Sequence, residues 1–233
     1  MLFRTDGMMV LKGNTKLLGL ACAVSMLYPL AGTKKAFESL YAILADYAPS
    51  DFASSLYQFY FTFVFFFLLP FSLVPKEERA GLGLSLSHKK VGIVSAIAFV
   101  ALCTPLIWLG SKDPQMLSEY PLSKGYFQNP SMALPYVFSL FLYYVGWEAL
   151  FRGILLFSLV APLGQASAIM IQTCISCMLH IGKPTPEYLA SIPFGVLMGI
   201  LAIRTRSFFY PVLCHFSIGL LNDIFCAFRL GLF

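Results

Sequence analysis

Glu148 and Arg152 stand four residues apart in an otherwise apolar stretch, and two later apolar stretches carry His180 and His215. A spacing of four puts the carboxylate and the guanidinium on one face of a helix. Alone, such a pair could serve only to hold packed helices together. With two histidines beside it, the set is suited to handling water. A carboxylate can accept a water proton, and an imidazole can hold that water or stabilise an oxyanion. The same three groups, Glu148, His180 and His215, could instead ligate Zn²⁺ with water in the fourth position. Arg152 would keep Glu148 ionised in a low-dielectric setting. Asn222 follows His215 by seven residues and shares its helix face, whereas Asp223 is rotated about 80° further round. Either could orient an imidazole. The plainer reading of Asp223 is solvation near the end of its segment. The segment His180-Ile-Gly-Lys-Pro-Thr-Pro-Glu187 ends a helix with Gly182, Pro184 and Pro186 and sets Lys183 and Glu187 at the mouth of a compact loop. Both can be read as ordinary loop charges, and Glu187 also as a second carboxylate beside His180.

The elements that must position these groups follow from composition. Of 233 residues, 58% are hydrophobic and 12% charged, and the mean hydropathy is +0.77. Soluble domains carry about 25% charged residues. That balance excludes a soluble enzyme, a disordered chain and a nucleic-acid-binding domain. The expectation is an all-α fold: a polytopic transmembrane helical bundle of about seven spans. Apolar stretches lie at 17–32, 54–74, 91–110, 132–160, 164–181, 189–203 and 207–228. Residues 33–51 have the charge spacing of a short interfacial helix, and 111–131 form the longest loop. Ionisable groups inside a bilayer are costly, so those of the later spans are the natural candidates for function.

With seven spans the termini lie on opposite sides. A cytoplasmic N-terminus places nine Lys and Arg inside, including Arg4 and Lys12, against six outside. That assignment puts the 181–188 loop outside. The net charge of +5 needs no acidic partner. The six cysteines lie in apolar stretches and read as small hydrophobes. Cys174 and Cys177 make a C-x-x-C whose alternative reading is redox or metal chemistry.

Gly146-Trp147-Glu148-Ala149-Leu150-Phe151-Arg152-Gly153 resembles the E-E-x-x-x-R motif of the CAAX protease and bacteriocin-processing (Abi) family. That family includes the type II CAAX prenyl endopeptidases and the lysostaphin-resistance-like proteins. His180 matches its histidine near the end of a following helix, and His215 its histidine in the last core helix. The stretch from Gly195 to Thr205, with Ser207 and Pro211, is similar to the family's approach to that histidine. The resemblance covers about 132–228, a protease-like core, while 1–131 contribute spans and loops. It implies an intramembrane endopeptidase of the CAAX prenyl protease type, with Glu148, His180 and His215 catalytic. Arg152, Asn222, Asp223 and Glu187 would support them. It also implies a peptide or protein substrate at the lipid bilayer, a multi-pass protein of a bacterial inner membrane, and Zn²⁺ as a possible cofactor.

Two departures from the family pattern matter. Trp147 stands where the first glutamate is expected, and Gly219 where H-x-x-x-N places asparagine. Glu148 would then take over catalysis, or Glu187 would supply the missing carboxylate. The alternative is an inactive family member acting as a membrane scaffold or bacteriocin-immunity factor. A small transporter is a third class, but the paired half-repeats of many transporters are not evident.

Overall fold

The computed structural model describes residues 14–44, 50–128 and 130–232. Arg4, Lys12 and Asp46 lie outside them. The described chain is helical throughout, without strands. Its elements are α1 (Thr15–Gly32), α2 (Lys34–Leu44), α3 (Asp51–Ser72), α4 (Lys89–Gly110), α5 (Pro114–Glu119), α6 (Lys124–Gln128), α7 (Ala133–Met178), α8 (Thr185–Thr205) and α9 (Phe209–Arg229). Among the described residues, six helices (α1, α3, α4, α7, α8 and α9) are long and apolar enough to cross a membrane. The 22 residues of α4 rise about 33 Å, which suits a hydrocarbon core of about 30 Å. Its Ile93, Val94, Ile97, Leu102 and Leu109 face outward. Outward apolar side chains on this scale suit lipid rather than water. The protein is an integral, multi-pass membrane protein.

The difference between six helices and seven expected spans lies in α7. Drawn straight, its 46 residues would run about 69 Å, twice the hydrocarbon thickness. The helix instead breaks at Gly164, where φ is 78° and ψ 164°. Trp147 lies 17 residues before that glycine and His180 16 residues after it, yet their rings are 5.4 Å apart. The two arms therefore fold back on each other as a helical hairpin. Pro162, just before the turn, cannot donate a helical hydrogen bond, and Gly164 adopts a backbone region nearly closed to other residues.

The first arm of α7 is the axis of the bundle. Tyr136, Leu140, Leu150, Phe151, Ile154 and Leu155 are fully buried. It is packed by α1, α3 and α9. The second arm is tied to α8 by Gln172, whose amide donates to the Gly195 carbonyl at 3.0 Å. One end of the bundle is fastened where Phe208 N–H donates to Gly83 O at 3.1 Å and Tyr210 O–H to Ser87 O at 3.0 Å. Elsewhere Arg229 lies over the Trp108 ring and donates to Ser111 Oγ at 2.8 Å, fixing α9 to α4. The 111–131 region, expected to be loop, folds into the short helices α5 and α6. Asp113 caps α5 by accepting from the N–H of Gln115 and Met116, with Pro114 at the first helical position. Asp51 pairs with Lys34 and accepts from Ser123 Oγ at 2.9 Å, which binds this region to α2 and α3. All six cysteines are free, with Cys174 exposed and Cys177 buried on the same arm.

A Cβ at residue 164 would meet nothing within 4 Å, so the requirement for glycine there is purely one of backbone conformation. Gly164→Ala is expected to destabilise the protein by about 1–3 kcal/mol. Denaturation in detergent micelles checks this; wild-type stability in the variant would mean that the turn does not depend on the glycine.

Candidate active site

The sequence places Glu148 at the point where α7 widens. Residues Ala149–Leu155 form a π-type turn within the helix, a distortion frequent at functional sites. Glu148 and Arg152 are 0% and 1% exposed in their side chains, and Arg152 Nη1 donates to Glu148 Oε1 at 3.2 Å. The same oxygen accepts from His215 Nδ1 on α9 at 2.5 Å. The buried carboxylate is thus shared by a guanidinium on its own helix and an imidazole on another. Because a carboxylate only accepts, His215 carries its proton on Nδ1 and keeps Nε2 for other work. Its ring is flanked by Tyr144 and Phe194, with centroids 4.4 and 4.5 Å away. The Arg152 guanidinium lies 5.4 Å from the Phe194 ring centre, within the range of a cation–π contact.

His180 sits in the turn after the second arm of α7. Its Nδ1 donates to the Ser176 carbonyl at 2.8 Å, which again leaves Nε2 as an acceptor. Both histidines line one cavity of about 490 Å³ between α4, α5, α7, α8 and α9. Ser176, Glu187 and Asn222 also line it, while much of the remaining wall is carbon from Phe99, Leu106, Ile107 and Leu197. Glu187 lies at the start of α8 with Oε2 buried and without a hydrogen-bond partner. Nearby Lys183 forms an ion pair with Glu119. Burial works against the Lys183 charge, but Glu187 and Glu119 together hold its ammonium above its ordinary pKa.

The expected residues are therefore only partly brought together. His180, His215, Glu187 and Asn222 share the cavity wall. Glu148 does not line it and sits behind His215, so the carboxylate expected to work beside His180 supports the other histidine. Asp223, whose spacing offered it as an imidazole partner and whose plainer reading was solvation near the span end, is neither: it is 1% exposed and committed elsewhere. It accepts from the Leu122 N–H at 3.0 Å and from Tyr136 O–H at 2.5 Å, fastening α9 to the preceding loop and to α7. The partner of His215 is Glu148 instead. Among the described residues, no group of three His, Cys, Asp or Glu is placed to hold a metal ion. Glu148 Oε1 is already taken by Arg152 and His215, Oε2 is unpartnered but belongs to a side chain that does not line the cavity shared by the two histidines, and the adjacent guanidinium opposes a cation. Glu148, His180 and His215 as arranged do not fit a Zn²⁺ site.

Trp147 is 3% exposed, packs on Tyr28, Phe66, Tyr143 and Phe151, and meets His180 edge-on. An indole thus stands beside His180 where the motif would have put a carboxylate. Tyr144 was not singled out from the sequence, although 144, 148 and 152 fall on one helix face and that spacing was available.

Residues 129–221 match the family model described as type II CAAX prenyl endopeptidase Rce1-like. This part of the chain is similar to that family. The match is less than half of the chain but takes in Glu148, Arg152, His180, Glu187 and His215. No curated protein and no solved structure matches the chain.

Removing one partner of a buried ion pair leaves the other uncompensated. Arg152→Met is expected to cost about 3–5 kcal/mol of stability. Combining it with Glu148→Gln is expected to cost less than the two single changes added. A double-mutant cycle in detergent measures this coupling; strict additivity would show that the two charges do not interact.

Proposed function

We propose that the protein is an intramembrane endopeptidase of the CAAX prenyl protease type, hydrolysing a peptide bond near the membrane surface. One observation carries the reading: two histidines, each with Nδ1 held by an acceptor, line the same cavity in the Rce1-like part of the chain. A neutral imidazole with a free Nε2 is a general base for water. In this reading His180 Nε2 takes a proton from the attacking water as its oxygen adds to the scissile carbonyl. His215 in its imidazolium form, its Nδ1–H held by the Glu148 carboxylate, donates from Nε2 to the developing negative charge on the carbonyl oxygen. The tetrahedral intermediate collapses as the carbon–nitrogen bond breaks and the proton on His180 passes to the leaving amine. Glu148 is then a positioning residue that acts through His215. Glu187, which also lines the cavity, is a carboxyl group that a leaving amine would meet there. The carbon-lined part of the cavity has the chemistry to receive an apolar substituent, such as a prenyl chain on the substrate.

A second reading is an inactive family member serving as a membrane scaffold or immunity factor. The observation that favours it is Trp147, which fills the place of a carboxylate beside His180 with an indole.

Wild-type protein in detergent, given prenylated and unprenylated peptide libraries, is expected to cleave. His180→Ala and His215→Ala are expected to lower kcat by about 10²–10⁴-fold, with Glu148→Gln lowering kcat at little change in KM. An intact library after incubation with folded wild-type protein would favour the inactive reading. Loss of cleavage in Glu148→Gln together with full activity in His215→Ala would reverse the roles given to those two residues.

A further inference from the structure

Gly219 lies one helical turn after His215 on α9, and both line the cavity. A Cβ built on Gly219 would stand 1.9 Å from the Tyr144 hydroxyl oxygen and 2.6 Å from the ring carbon that bears it. Any side chain at 219 would therefore evict the tip of Tyr144. The bare glycine is a notch in α9, and the hydroxyl of Tyr144 from α7 occupies it. Tyr144 is 6% exposed, lines the same cavity, and lies with its ring 4.4 Å from that of His215.

Packing alone does not account for a tyrosine here. The chain has 23 phenylalanines, and one of them would fill the same volume without burying a polar group. Burying a hydroxyl is unfavourable unless it finds a hydrogen-bond partner. The hydroxyl stands in the wall that carries His215. It can donate to an oxygen brought into the cavity.

We infer that Tyr144 is a catalytic residue whose hydroxyl, seated in the notch at Gly219, donates a hydrogen bond to the carbonyl oxygen of the scissile peptide beside His215. This rests on the peptidase reading above. Tyr144 breaks and forms no bond in the reaction. It supplies a fixed donor where negative charge develops, and such donors act mainly on the transition state.

The test is Tyr144→Phe in the full-length protein, assayed with a peptide that wild type cleaves. Removing one such donor is expected to lower kcat about 10²–10³-fold, with KM and thermal stability close to wild type. A phosphinate peptide, whose tetrahedral oxygens mimic the intermediate, should bind Tyr144→Phe more weakly, while binding of the amide substrate stays unchanged. A second variant separates donor from packing. Tyr144→Ala is expected to lose activity, and adding Gly219→Asn should restore part of it by placing an amide donor in the vacated space. Wild-type kcat in Tyr144→Phe would overturn the inference and leave the peptidase reading standing. Equal loss of amide-peptide binding and of stability in Tyr144→Phe would also overturn it, in favour of packing. Neither cleavage nor phosphinate binding by folded wild-type protein would overturn the peptidase reading, and this inference with it.

Discussion

The arrangement turns on a single buried carboxylate. A charge at 0% exposure inside a membrane bundle persists only if it is paired and hydrogen-bonded, because the cost of leaving it alone is several kcal/mol or more. Glu148 meets that condition through Oε1 alone, with Arg152 from its own helix and His215 from α9, while Oε2 is buried without a hydrogen-bond partner. The constraint is mutual. Arg152 needs the carboxylate as much as the carboxylate needs Arg152, and their four-residue spacing supplies the contact locally. The His215 contact spans 67 residues and requires that α9 lie against α7. A local pair thus becomes a tertiary fastening, and the fastening sets the tautomer of an imidazole in the cavity wall.

A second constraint completes the site. His180 stands 32 residues after Glu148, a distance that a continuous helix would turn into about 48 Å. The break at Gly164 returns the second arm alongside the first and brings His180 back to the level of Trp147. Pro162 and Gly164 are therefore as necessary to the site as the residues that line it. Their effect is topological, and it acts at the far end of the hairpin from the chemistry.

Much of this was legible in the sequence. The apolar stretches, the ionisable residues within them and the three-part motif all follow from residue type and order, and the helices lie where hydropathy places them. The hairpin in α7 was legible too, as two spans at 132–160 and 164–181, because a break is marked by proline and glycine. What periodicity could not reveal was the choice of partner across helices. Glu148 had two histidines available, and only packing decides that His215 receives its charge while His180 turns to the Ser176 carbonyl. Asp223 fails as an imidazole partner for the same reason. Its rotation of about 80° from His215 follows from spacing alone, whereas the presence of Tyr136 and the Leu122 amide on that side is set by packing across helices.

The two departures from the family pattern look different once the side chains are in place. At 147 an indole stands where the family motif has a carboxylate; it packs into the aromatic core of α1, α3 and α7 beside His180, with Nε1 buried and without a hydrogen-bond partner. At 219 an amide has become a glycine, and the space is taken by the hydroxyl of a neighbouring helix. The first difference leaves no carboxylate at 147 beside His180; the second leaves room for a hydroxyl beside His215. The polar groups retained around His215, namely Glu148, Arg152 and Tyr144, all come from one face of α7, spaced one turn apart. One turn-spaced face of α7 thus supplies both the charge that holds His215 and the hydroxyl beside its ring, while the position of the absent glutamate lies on the aromatic side of the same helix.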